Sequence, residues 1–284
     1  MLISDESMDP SVTSPRPHQH LRFHLIVLAS LVLAAIVSVS VVAGFHGPRS
    51  PSPGASPHGK HSQPLAVQQT EPLKWAAAFG PLSSQETDTA QATNWTGHIF
   101  TGLTFSAVSA QWVVPAVQPS AVGAYSATWI GLDGVNNTSL IQAGTAQDTA
   151  NGTTTYDDWY EILPANETLI ASVAPGDHIQ ASINEDSPGT WTISIADLTS
   201  GQTFSQAFAY NGPATSAEWV EEAPKVNGIQ SALANFGTVQ FTGMAWAGSN
   251  PSSVANITLN MASSGGNVIA SSSAIAGNSF TMTG

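Results

Sequence analysis

From Asn94 to its end the chain offers no stretch of useful length with a helical period, while segment after segment alternates apolar and polar residues with period two. This pattern constrains the fold most, because successive side chains of a strand point to opposite faces and a helix has no use for that order. "TWTISIAD" sets Trp191, Ile193 and Ile195 against Thr192, Ser194 and Ala196, and "TFSQAFAY" sets Phe204, Phe208 and Tyr210 on one face. "TSGQ" between them is a turn, so the two are predicted to form a hairpin. "DHIQASIN" puts Ile179, Ala181 and Ile183 inward, with His178, Gln180 and Ser182 outward. Further strands are expected at 95–101, 108–114, 126–132, 156–162, 217–221, 237–242, 255–261 and 279–283. Many short strands separated by Gly and Pro turns predict an all-β chain, a sandwich of two large antiparallel sheets.

The N-terminal third reads differently. Residues 25–43 form an uninterrupted run of apolar and small residues, preceded by Arg16 and Arg22. That length fits a membrane span of about 20 residues and is long for a signal-peptide core of roughly 7–15. Val41 and Ala43 supply small residues at which a signal peptidase could cut. The stretch "HGPRSPSPGASPHGKHSQP" is too rich in Pro, Ser, Gly and His to bury a core, although the sequence around Trp75 and Phe79 is less polar and could dock. The expected organisation is a polar tail at 1–20, a signal-peptide or signal-anchor helix at 21–45, a disordered linker or propeptide at 46–92, and a β-domain at 93–284. Such a protein is extracellular, either secreted or anchored to the outer face of the cell membrane by the N-terminal helix. Sequons at Asn94, Asn136, Asn137, Asn151, Asn166 and Asn256 suit export.

Charge narrows the function. Six Lys and Arg stand against nineteen Asp and Glu, and from Thr93 onward Lys225 is the one basic side chain against thirteen carboxylates. Such a surface repels phosphate backbones, so nucleic acid is not an expected partner. Near pH 4 it approaches neutrality as carboxyls protonate, so self-repulsion falls on acidification. The chain has no cysteine, which excludes disulfides, thiol catalysis and Cys metal sites. It has no HExxH, no GxSxG and no Asp-rich calcium loop. No metal and no cofactor are expected.

Carboxylates, amides and aromatics remain, gathered in three segments. "SATWIGLDGVNNTSLIQAG" carries Trp129, Gly131, Asp133 and Gln142; "YDDWYEILP" carries Trp159 and Glu161; "SAEWVEE" carries Glu218, Trp219, Glu221 and Glu222. On strands these suit a concave groove in which aromatic walls desolvate a carboxyl. The plainer readings are a core role for each Trp, a turn at Asp133-Gly134, and solvated strand-end charges at Glu221 and Glu222. Residues alone leave open a peptidase, a glycoside hydrolase with Glu161 and Glu218 about 5–9 Å apart or a glycan-binding sandwich, and an inactive adhesive domain on a stalk.

The ordered set "NWTG", "SATWIGLDG", "LIQAG", "YDDWYE", "SAEWVEE" and "FGTVQFT", with the tail "GNVIASSSAIAGNSFTMT", resembles the eqolisin family of glutamic peptidases over nearly all of 93–284. The resemblance implies a concanavalin A-like or jelly-roll sandwich and a catalytic Glu/Gln pair. Gln142 matches the family's glutamine in "LIQAG" and Glu218 its glutamate in "SAEWV". It further implies that Trp129, Gly131, Asp133, Trp159 and Glu161 line the site or orient the pair. Glu218 would activate water and then protonate the leaving amine, while the Gln142 amide would stabilise the oxyanion. The expected substrates are polypeptides cut at acid pH by a monomer. Asp158 departs from the family's small residue before the tryptophan, and the fungal cysteines are absent.

Overall fold

The structure, a computed structural model, describes residues 68–74, 88–249 and 254–284. The segment 21–45, expected as a helix, lies outside them. Every regular element among the described residues is a strand. In chain order these are β1 Gln68–Gln69, β2 Asp88–Ala92, β3 Trp95–Thr101, β4 Thr104–Val113, β5 Ala124–Asp133 and β6 Leu140–Ala150. Next come β7 Thr153–Ile162, β8 Thr168–Ser172, β9 His178–Ser187, β10 Thr190–Asp197, β11 Thr203–Ala209 and β12 Ser216–Glu222. Three short pieces follow, β13 Lys225–Val226, β14 Ile229–Gln230 and β15 Ala232–Leu233. The last are β16 Thr238–Ser249, β17 Ala255–Ala262, β18 Val268–Ser272 and β19 Phe280–Thr283.

The hairpin predicted from alternation is β10–β11, with Trp191 opposite Phe208 and Ile195 opposite Phe204. Along β10 the residues Trp191, Ile193 and Ile195 are buried while Thr192, Ser194 and Ala196 are half-buried. Ile179, Ala181 and Ile183 of β9 are buried between half-buried or exposed partners. Each buried isoleucine among them contributes roughly 1.5–3 kcal/mol by leaving water.

Fourteen strands join into one antiparallel path, β11-β10-β9-β4-β16-β19-β18-β17-β3-β12-β5-β6-β7-β8, with β2 and β15 added in parallel on β17 and β5, while β1, β13 and β14 form a separate three-stranded sheet. The all-β, antiparallel expectation is met, but the pairing is continuous where two separate sheets were expected. The long strand β16 makes the difference. Its residues 238–241 pair with β19, and from Thr242 onward it pairs with β4 across a register shift at 242/245. Gly243 in that shift has φ +59, a conformation cheap only without a Cβ, and the bulge turns the strand from one part of the sheet to the next.

The sheet folds back on itself. Trp112 Nε1 of β4 donates to Thr145 Oγ1 of β6 at 3.0 Å, and Trp219 Nε1 of β12 donates to Ser109 O of β4 at 3.1 Å. Near the two ends of the path, Tyr160 of β7 stacks on Phe204 of β11 with centroids 5.4 Å apart. The main core lies between these facing stretches and includes Ile130, Leu132, Ile141, Ala143, Ile193 and Trp219. A second apolar cluster, with Trp95, Ile99, Trp129, Trp159 and Val220, covers the other side of β3, β12, β5, β6 and β7. Strands β6 and β12 are buried on both faces almost throughout, so they carry polar groups into the interior.

Two strands fall within 46–92, the region read as a linker. β1 pairs antiparallel with β13, and β2 pairs parallel with β17.

Candidate active site

Cross-strand register assembles the site. Glu218 of β12 is opposite Gly131 of β5, Gly131 is opposite Gln142 of β6, and Gln142 is opposite Glu161 of β7. Directly opposed residues share a face, so four strands set a carboxyl, a gap, an amide and a carboxyl in one row. The gap has a reason. A Cβ at position 131 would stand 2.8 Å from Trp129 Cζ3 and 3.2 Å from Gln142 Cβ. The next row is Val220, Trp129, Gly144 and Trp159. A Cβ at Gly144 would run into the Thr128 carbonyl and the Trp129 backbone. Two glycines thus keep the floor of the groove low while the tryptophans fill it. Trp129 packs edge-on against Trp95, with centroids 4.9 Å apart.

Gln142 and Glu161 touch: Gln142 Nε2 donates to Glu161 Oε2 at 2.7 Å. Glu218 is fully buried, and its two oxygens make no bond of proper geometry among the described residues. Burial pushes Glu218 well above the ordinary carboxyl range; the Ser216 hydroxyl opposes this and the Asp133 charge adds to it. Glu161 is pushed up to about 8, mainly by burial, against the bonds it accepts from Thr70 and Gln142.

Asp133 does not bond either member of the pair. It sits at φ 76 at the end of β5. Its carboxylate accepts from Tyr210 Oη at 2.6 Å, Ala214 N at 2.8 Å and Thr215 N at 2.9 Å. Those residues lead into β12, so Asp133 anchors the approach to Glu218. Asp158 has the opposite parity to Trp159 and Glu161 and does not line the groove. Its Oδ1 accepts from Ala171 N at 2.5 Å, where the β7–β8 register shifts.

Two groups escaped the sequence reading. Glu221 and Glu222, whose plainer reading was solvated strand-end charges, are both fully buried. Glu222 shares the face of Glu218; its Oε2 accepts from Trp129 Nε1 at 3.1 Å, and burial pushes it well above the ordinary range. Glu221 faces the other way and accepts from Thr128 Oγ1 at 2.5 Å, with burial raising it to about 7. The signal available in sequence was the apolar flank, Trp219 and Val220 before the pair and Ala223 after it.

The second missed group is residues 68–74, which lie against the site. Thr70 is buried, donates its hydroxyl to Glu161 Oε2 and accepts from Gln142 Nε2. Glu71 N donates to Glu222 Oε1 at 3.1 Å, and Leu73 N donates to Gly134 O at 3.1 Å. Asn94, a sequon residue, is buried; its amide donates to the carbonyls of Glu71 and Pro72 and accepts from Lys74 N.

The family model for the Peptidase A4 family matches residues 93–283. Aspergillopepsin-2 of Aspergillus niger is 27% identical over 224 residues, spanning 69% of this chain and 79% of that protein. Scytalidopepsin B of Scytalidium lignicola is 30% identical over 154 residues, spanning 52% of this chain and 57% of that protein. A crystal structure of scytalido-glutamic peptidase with a peptide-based transition state analog matches with a TM-score of 0.59 at 26% identity, covering 67% of this chain and 98% of that one. The resemblance read from the ordered motifs is borne out, and the chain belongs to the Peptidase A4 family of glutamic, acid endopeptidases.

Proposed function

We propose that this chain hydrolyses peptide bonds of polypeptides at acid pH, with Glu218 and Gln142 as its catalytic pair on one layer of a two-layer sandwich. One observation carries the reading: Glu218 and Gln142 share a face and a cross-strand row, with the side-chain-free Gly131 between them. Two strand spacings of about 4.8 Å leave room there for an extended peptide carbonyl and a water. Glu218, ionised, takes a proton from that water as it attacks the carbonyl, then returns a proton to the leaving amine. The Gln142 amide N–H stabilises the oxyanion, and being untitratable it works at low pH. Glu161, as acceptor from Gln142 Nε2, aims that donor.

The covering segment fits this chemistry. Thr70 occupies Gln142 and Glu161, and burial raises Glu218 well above the ordinary carboxyl range, which disfavours its ionised, basic form. Uncovering the groove readmits water and returns Glu218 toward the ordinary carboxyl range, where one group serves as base and then acid at acid pH. Residues 68–74 therefore act as a removable cover, and export through 25–43 would deliver the protein outside the cell.

Digestion of casein by the full chain across pH 2–7, with pepstatin and chelator controls and a Glu218→Gln partner, tests the reading. Expected are an optimum well below pH 6, insensitivity to chelators and no activity in the variant. A chelator-sensitive neutral activity rejects it.

A further inference from the structure

Lys225 is the one Lys or Arg side chain from Thr93 to the C-terminus. It stands 30% exposed at the rim of the groove, three residues beyond Glu222, and is ion-paired with Glu71. This ion pair belongs to a larger seating. Gln68 and Gln69 pair as an antiparallel strand with Val226 and Lys225. Glu71 N reaches Glu222, and the Glu71 and Pro72 carbonyls accept from Asn94. Those contacts use backbone groups that every extended peptide carries, the usual way a sheet edge holds a peptide strand. Side-chain selectivity is left to three contacts: Thr70 on Gln142 and Glu161, Leu73 against the apolar cluster of Trp95 and Trp129, and Glu71 on Lys225.

We propose that Lys225 is a specificity-determining residue: it forms a subsite for an acidic side chain of the polypeptide substrate, adjacent to the residue seated over Gln142. This rests on the peptidase reading of the groove. The charge distribution supports it. Lys225 is the single Lys or Arg in residues 93–284, so an acidic peptide side chain finds no other fixed cation of that kind on this part of the chain. The covering segment presents Glu71 at that point, and Lys74 takes the other oxygen of the same carboxylate. A substrate glutamate in the place of Glu71 meets the same ammonium group and the same backbone partners.

The test uses the full chain, incubated at acid pH until peptide-cleaving activity reaches a plateau. It then digests a mixed peptide library at pH 5, where a free glutamate side chain (reference pKa about 4.3) is ionised. Cut sites are read by mass spectrometry, and the comparison within one tube cancels the amount of active enzyme. Expected is an enrichment of Asp and Glu, about fivefold, at one fixed position within two residues of the cut, the scale of an ion pair at a partly exposed rim. Lys225→Met should lose the enrichment, Lys225→Arg should keep it, and Lys225→Glu should favour Lys and Arg there instead. Cleavage by the wild-type chain without acidic enrichment overturns the proposal with no variant needed. Enrichment that survives Lys225→Met also overturns it. If the wild-type chain cuts nothing at any acid pH, the peptidase reading itself fails and the subsite with it.

Discussion

A methyl group at position 131 would press on Trp129 and on Gln142 at once, at 2.8 Å and 3.2 Å. Gly131→Ala therefore displaces the amide of the proposed pair and fills the gap proposed to receive the carbonyl. We expect kcat to fall about 10²-fold, the cost of misplacing a reacting group by about 1 Å, while the protein still folds. A variant with kcat near wild type would show that the gap is not the reaction site. The two members of the pair should fail differently. Glu218→Gln removes the only proton-transfer group in the row beside the gap, so activity should drop to background at every pH. Gln142→Ala leaves the base and removes an oxyanion donor, so kcat should fall about 10²–10³-fold with a smaller change in KM. Glu161→Gln retains an oxygen that accepts from Gln142 and should be milder than either. If Glu161→Gln abolishes activity while Glu218→Gln does not, Glu161 is the base.

At the scale of elements, two N-terminal pieces are held in different ways. β2 adds to β17 through five paired residues, whereas β1 adds only two residues to β13 and leads into the segment on the groove. A cut between Lys74 and Asp88 would release the cover and leave β2 in place. N-terminal sequencing of the active material should find its start in that interval. A fully active form retaining residues 68–74 would count against the cover. Thr70→Val keeps the shape of that side chain and deletes its bonds to Gln142 and Glu161. It should shorten the lag before activity appears on acidification severalfold and leave the final rate unchanged. An unaltered lag would mean that those contacts do not hold the cover down.

For the whole molecule, the buried carboxyls set the dependence of stability on pH. Burial raises Glu161 and Asp148 to about 8 and Glu221 to about 7, and holds Glu218 and Glu222 well above the ordinary range. In the unfolded chain these groups ionise near their reference values, about 4–4.5. Between those values and the raised ones the folded state holds more protons than the unfolded state, so stability falls as pH rises. It is fully present below about pH 4 and is lost from there through about pH 7–8. The melting temperature should be highest at acid pH and decline towards pH 8, the reverse of a protein stabilised by ionised carboxylates. Glu221→Gln isolates one contribution away from the groove. It should flatten the decline between about pH 4.5 and 7, where a single such group accounts for about 1.4 kcal/mol per pH unit, and leave activity at pH 4 intact. A melting temperature that climbs from pH 4 to 7 contradicts the account.

The sequence by itself determined the strands that have one wet face. Alternation located β10 and β11 and the inward residues of β9. The ordered motifs were specific enough to identify the family. Alternation was silent on β6, which carries Gln142 and was not among the expected strands, because eight of its first nine positions are buried whatever their polarity. The same loss of contrast made Glu221 and Glu222 look solvated. Asp133 and Asp158 could be recognised as unusual but not placed, since a positive φ and a register shift decide where their carboxylates point. Only the tertiary structure set Glu218, Gly131, Gln142 and Glu161 in one row, because that row depends on pairing between strands up to 87 residues apart in the chain. It alone brought Thr70 and Glu71 to that row, through hydrogen bonds and an ion pair that no local pattern encodes.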